Sequence, residues 1–154
     1  MKFQYIKALT FALTLCSLTA HAKTSVSEPW ARATVAGQAM GGAFVNLTSD
    51  QPAQLVAASS PLATEAQLHG MSMQGESMQM KQVPSIDLPA NQTVSLRPGS
   101  YHIMLMGLKK PLVAGSIVPI QLKVKTAKGN IEVLRIKVPV KTLDTHMMSH
   151  SHGM

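Results

Sequence analysis

The last third of the sequence leaves its backbone little choice. Val118, Ile120, Leu122 and Val124 alternate with Gln121, Lys123 and Lys125, then Lys128-Gly129-Asn130 leads into a second apolar run, Ile131 to Val140. A period of two is that of a strand with one buried face, and a Gly-Asn turn between two such runs makes a hairpin. The apolar phase slips between Val133 and Leu134, which predicts a β-bulge there. The same punctuation runs upstream, with strands expected at 29–34, 43–48, 54–58, 65–71, 78–83, 93–97 and 101–105. No segment has helical periodicity. Many short strands in about 120 residues predict an all-β domain, a β-sandwich or barrel of Greek-key type. From Lys141 onward the pattern stops. The tail, residues 142–154 with His146, His150 and His152, has nothing to bury and is expected to be disordered.

The first residues bear on compartment. Lys2 and Lys7 precede an apolar run from Ala8 to Leu18, and Ala20-His21-Ala22 has the small-x-small form of a signal-peptidase site. This reads as a cleaved signal peptide over residues 1–22, too short to stay as a membrane span. The remainder divides into one domain, 23–141, and the tail. No later apolar stretch is long enough to cross a bilayer, so an integral membrane protein is not expected. Cys16 is the single cysteine, and Leu15 precedes it where a lipoprotein signal has a small residue, so no lipid anchor is expected. A chain cleaved before Lys23 has no thiolate, which excludes a blue-copper electron carrier and a dithiol oxidoreductase. Removing Lys2 and Lys7 from the 14 Lys and Arg leaves 12 against 7 Asp and Glu, a net charge of +5. Without aromatics among the basic residues, nucleic acid is not an expected partner. The lysines read as a solvated strand face, with weak steering toward an anionic partner or membrane as the functional alternative.

Methionine normally fills irregular gaps in cores. Here the final hairpin contains none, whereas Met71, Met73, Met78, Met80, Met104 and Met106 crowd two short stretches, Met147, Met148 and Met154 lie in the tail, and only Met40 of the mature chain stands apart. The body has two histidines, His69 and His102, each with a methionine two residues later. Residues i and i+2 of a strand share a face, so His102 and Met104 reach one point while Ile103 and Leu105 turn inward. With Gln74-Gly75 as a turn, Met71 is expected to face Met78 and His69 to face Met80. Directly opposed side chains have Cβ atoms roughly 4.5–5.5 Å apart, close enough to share an ion. Two imidazoles and two thioethers select Cu(I) over Mg, Ca or Mn, and zinc gains little from thioethers. The candidate ligands are therefore His69, Met80, His102 and Met104, with Met71 and Met78 as auxiliaries. Lacking thiolate, such a site suits a carrier that gives its ion up. The tail is a candidate for a second copper, Cu(II), through His146, His150 and His152.

The spacing His69, ten residues, Met80, twenty-one residues, His102-Ile103-Met104 resembles the signature of the periplasmic PCu(A)C-type copper chaperones. Residues 101–112, Trp30-Ala31-Arg32-Ala33 and Gly41 to Leu47 are similar to that family too. The resemblance implies a cupredoxin-like β-sandwich with a surface Cu(I) site in the periplasm. It also implies delivery of copper to the CuA centre of cytochrome c oxidase subunit II, or to another periplasmic copper protein. A copper buffer or resistance protein without a dedicated acceptor is the alternative. An enzyme is not expected, because no Ser/His/Asp set, paired carboxylates or phosphate loop is present. A copper oxygenase with His21 as its N-terminus would need cleavage after Ala20, the weaker site.

Overall fold

The computed structural model describes residues 23–142, so the signal-peptide and tail assignments lie outside it. Among the described residues every regular element is a strand. They are β1 (Thr24–Arg32), β2 (Met40–Ser49), β3 (Ala53–Ser59), β4 (Ala63–Gln74), β5 (Ser77–Gln82), β6 (Ile86–Leu88), β7 (Thr93–Leu96), β8 (His102–Leu108), β9 (Ile117–Thr126) and β10 (Ile131–Lys141). No helix in this range is long and apolar enough to cross a membrane.

Seven strands run in the order β4-β8-β2-β1-β10-β9-β3, and the bridge Ala58–Ala66 joins β3 back to β4. Closure removes the open edges that a flat sheet of this size would expose. Strand β5 hangs outside this ring on β4, β6 on β3, and β7 on the far half of β2. All pairings are antiparallel except β1 with β10. The expected all-β, cupredoxin-like architecture is the one observed.

The core lies between the walls. Leu47, Leu55, Leu105, Val118, Leu122 and Val124 are fully excluded from water, and Leu88, Leu96, Ile103 and Leu112 nearly so. Each such side chain contributes roughly 1.5–3 kcal/mol by leaving water. None of the buried hydrophobic residues is a methionine.

Two expectations need correction. Strand β10 has no bulge: its pairing with β9 runs unbroken from Ile131–Lys125 to Pro139–Ile117. The slip lies in the side chains, because Ile131 and Val133 face outward and are about half-exposed while Glu132 faces inward. Glu132 is held there by Thr24, whose backbone N–H and hydroxyl donate to its carboxylate at 3.1 and 2.8 Å. The bulges are elsewhere, between Ser27 and Trp30 of β1 and between Leu55 and Ala57 of β3. The second correction, to the register of β4 with β5, bears on the candidate site.

Candidate metal centre

Strand β4 pairs β8 on one side and β5 on the other, and this brings the two His-x-Met segments together. His69 is directly opposite His102, and Gln67 is opposite Met104. The imidazole centroids are 5.5 Å apart with planes at 57°. Ile103 and Leu105 turn into the core as expected, so His102 and Met104 occupy the outer face.

The β4–β5 register differs from expectation. The turn residues are Gly75 and Glu76, not Gln74 and Gly75. Gly75 has φ +62°, and a two-residue turn that takes glycine at its first central position explains the choice. The pairing therefore shifts by two residues: His69 faces Gln82, Met71 faces Met80, and Met73 faces Met78. A shift of two preserves the face. Met80 is thus diagonal to His69, on the same side of the sheet, where neighbours lie about 7–8 Å apart. Met71, half-buried, is next to His69 along its own strand.

The face is more extensive than the sequence suggested. Met40 pairs Met106, and Glu65 pairs Met106 from the other side. Following the pairings, all seven methionines of the described residues share one face with both histidines. Met40, which stands alone in sequence, joins the rest through β2. Beyond His102 the row continues in aromatics: Phe44 is 6.3 Å from the His102 ring, and Trp30 is 4.5 Å from Phe44. Phe44 lies back over Gly42, where an added Cβ would come within 3.1 Å of its ring. This covering leaves His102 only 5% exposed on a nominally outer face.

Hydrogen bonds orient both rings. His102 Nδ1 is 2.9 Å from the Ser100 carbonyl, an acceptor only, so this nitrogen carries the proton and Nε2 the lone pair. His69 Nε2 is 2.9 Å from Gln67 Oε1. The amide orientation is fixed in turn, because Gln67 Nε2 donates to Glu65 Oε1 at 3.0 Å. Nε2 of His69 is therefore the donor and Nδ1 bears the lone pair. His69 Nδ1 and His102 Nε2 are both buried without a hydrogen-bonding partner. An unpaired buried acceptor costs roughly 1–3 kcal/mol, so two within one ring pair are unlike ordinary structural histidines. A ring nitrogen bonded to a carbonyl while the other is left free is the usual arrangement of a metal-ligating histidine. Burial, and then the neighbouring His102 charge, hold the His69 pKa below the ordinary histidine value, which favours the neutral ligand form.

The structure therefore brings together His69, His102, Met104, Met71 and Met80, and sets Met78 one pair further toward the hairpin tip. His146, His150 and His152 lie outside the described residues. Reasoning from sequence missed the orienting groups Gln67, Glu65 and Ser100. For Glu65 and Gln67 the signal was the i, i+2 series Glu65, Gln67, His69, Met71, Met73 along one strand; Ser100 acts through its backbone carbonyl, which no side-chain pattern marks. Among the described residues no three of His, Cys, Asp and Glu come together as a metal site.

Residues 24–140 match the family described as "Putative lipoprotein LpqE-like". A protein of Leifsonia xyli subsp. xyli, "Putative lipoprotein Lxx21020", is 35% identical over 149 residues, covering 88% of this chain and 86% of that protein. Among solved structures, the solution structure of CuI-DR1885 from Deinococcus radiodurans is 35% identical with TM-score 0.57, over 77% of this chain and 80% of that one. The copper-bound PCuAC domain from PmoF2 is 21% identical with TM-score 0.63, over 78% and 93%, a likeness of fold.

Proposed function

The chain belongs to the LpqE-like family, and from that premise we propose that it is an extracytoplasmic carrier of Cu(I). The observation that carries this reading is the pair of buried, unpartnered imidazole nitrogens, His69 Nδ1 and His102 Nε2, on a face lined with thioethers. The Deinococcus protein, at 35% identity, was solved in its CuI form, which supports the same ion.

In this reading His69 Nδ1 and His102 Nε2 hold the ion, with Met104 on one side of the pair and Met80 on the other. Met71 is the auxiliary thioether. All of these ligands are neutral, so binding changes neither their protonation nor the oxidation state of copper. Met80 is 55% exposed, and it is the ligand that an acceptor reaches first. Transfer then proceeds by stepwise ligand exchange, with the acceptor's ligand replacing Met80 before the more buried histidines let go. The acceptor is the CuA centre of cytochrome c oxidase subunit II or another periplasmic copper protein, an assignment that rests on the resemblance of the motif. The tail histidines take a second copper as Cu(II). Residues 1–22 direct export and are cleaved before Lys23. The relatives are named lipoproteins, but Leu15 before Cys16 favours a soluble mature form.

A competitive Cu(I) titration of the full exported chain tests the site. His102→Ala should weaken binding beyond the ~10–100-fold that loss of an outer partner costs, whereas truncation after Lys141 should leave the affinity nearly intact. Equal losses would move the main site into the tail. Mixing Cu(I)-loaded protein with an apo CuA domain tests delivery. Absence of transfer to a tighter acceptor would favour a copper buffer without a dedicated acceptor. Intact mass of the exported protein distinguishes cleavage before Lys23 from lipid on Cys16.

A further inference from the structure

The histidine pair does not account for the end of the β4–β5 hairpin. Met73 and Met78 are directly opposed there, 61% and 54% exposed, with Met71 two residues back on the same face. Every residue of β5 is exposed, and β5 is an edge strand. These thioethers fill no gap in a core, which is the ordinary reason for methionine. An edge strand in water is ordinarily protected by charge or proline. This one has Lys81 as its single charge and instead directs thioethers outward.

We propose that Met71, Met73 and Met78 form a second soft-ion site at the hairpin tip, holding Cu(I) or Ag(I) through thioether sulfur alone. Opposed Cβ atoms are about 4.5–5.5 Å apart, and the next same-face residue along a strand is about 6.6–6.8 Å away. Three flexible thioether arms across those spans can converge on one ion. Unbranched, uncharged sulfur ligands select a soft monovalent ion over zinc, calcium or magnesium. The position is open to solvent, whereas His102 is almost fully covered, so an incoming ion meets the tip first. From the tip to the histidine pair is one step along β4, and Met71, opposed by Met80, is the thioether within reach of both. The ion stays monovalent, the thioethers hold no proton, and movement inward exchanges one sulfur ligand for the next. The tip site deepens the carrier reading by supplying its point of entry, but its ligands include neither histidine.

Silver(I), which does not change oxidation state under these conditions, is the probe, with the methionine methyl groups of the full chain labelled for NMR. In His69→Ala/His102→Ala, one equivalent of silver should shift the methyl signals of Met71, Met73 and Met78 together. Adding Met73→Leu/Met78→Leu should abolish the Met71 shift and lower the bound silver by one ion. If the double-alanine protein does not fold, the wild-type titration gives the same test: one ion moves the histidine ring signals and another moves the Met73 and Met78 methyls. Silver that moves only Met147 and Met148, or only Met80 and Met104, overturns the tip site. Unmoved histidine signals in the wild type, with the tip methyls shifting, would instead overturn the histidine site and leave the tip standing.

Discussion

Hairpins β4–β5 and β9–β10 are both continuous antiparallel pairs closed by a glycine turn, Gly75 at φ +62° and Gly129 at φ +88°. They use that common backbone in opposite ways. In β9–β10 the inward residues Val118, Ile120, Leu122 and Val124 are at most 2% exposed, and both strands belong to the closed ring. In β4–β5 one strand is in the ring and the other lies wholly in water. Branched aliphatic side chains with few rotamers suit the first, where shape must be fixed. Unbranched thioethers suit the second, where the proposed role is to catch and release an ion. The contrast separates the residues that hold the fold from those that work on its surface.

The largest effect expected from this contrast is on stability. Leu122→Ala removes a fully buried side chain and should cost about 2–5 kcal/mol in denaturant unfolding. Met80→Leu on β5 should stay within about 0.5 kcal/mol, as exposed positions do, while weakening Cu(I) binding. If both changes cost the same stability, β5 belongs to the cooperative core and the contrast fails.

Next in size is the loss of an orienting group. Gln67→Leu keeps the bulk of the side chain but removes the acceptor for His69 Nε2–H, and with it the fixed tautomer. Loss of such partners costs about 10–100-fold in metal affinity. A competition assay should show that loss with unfolding stability nearly unchanged. Glu65→Gln, which alters only the outer end of the chain, should cost less. An unchanged affinity in Gln67→Leu would mean that packing alone orients His69.

How much of this was legible in the sequence follows from the same contrast. The aliphatic hairpin was marked by alternation, because burial of one face imposes a period of two. Its outward Ile131 and Val133 then misled, suggesting a bulge where Thr24 had simply drawn Glu132 inward across 108 residues. The candidate metal face was legible as spacing, since i and i+2 share a side on any strand. Its register was not, because one glycine's preference within the turn moved the pairing by two. The meeting of His69 with His102 was beyond local reasoning: it depends on β4 pairing β8, two strands separated in sequence by 27 residues and the strands β5, β6 and β7.

The two turn glycines permit a matched comparison of smaller size. Neither Gly75 nor Gly129 has an atom near an added Cβ, so alanine brings only the conformational penalty of positive φ, roughly 1–2 kcal/mol. Gly129→Ala should lower global unfolding by about that amount, since β9 and β10 open only with the ring. Gly75→Ala should lower it less. The penalty there should appear as faster amide exchange at Ser77–Gln82, because an edge hairpin can open locally. Equal global losses would again join β5 to the core.

The smallest expected effect is that of pH on the apo protein. Burial and the adjacent His102 charge hold the His69 pKa below its unfolded value. In the interval between the two values the unfolded chain binds the proton and the folded chain does not. Stability therefore rises with pH across that interval. Its contribution is complete above the unfolded value and is lost as pH falls through the folded one. His69 should titrate by NMR below the ordinary histidine range, and its share of copper affinity should persist to the same acidity. His102→Ala removes the lesser of the two causes, so the His69 pKa should rise only part of the way back. Full return to the ordinary value would make the neighbouring charge, not burial, the dominant cause. Strands β9 and β10 have no histidine but open only with the ring that contains β4, so their amide protection should follow this titration together with that of β4.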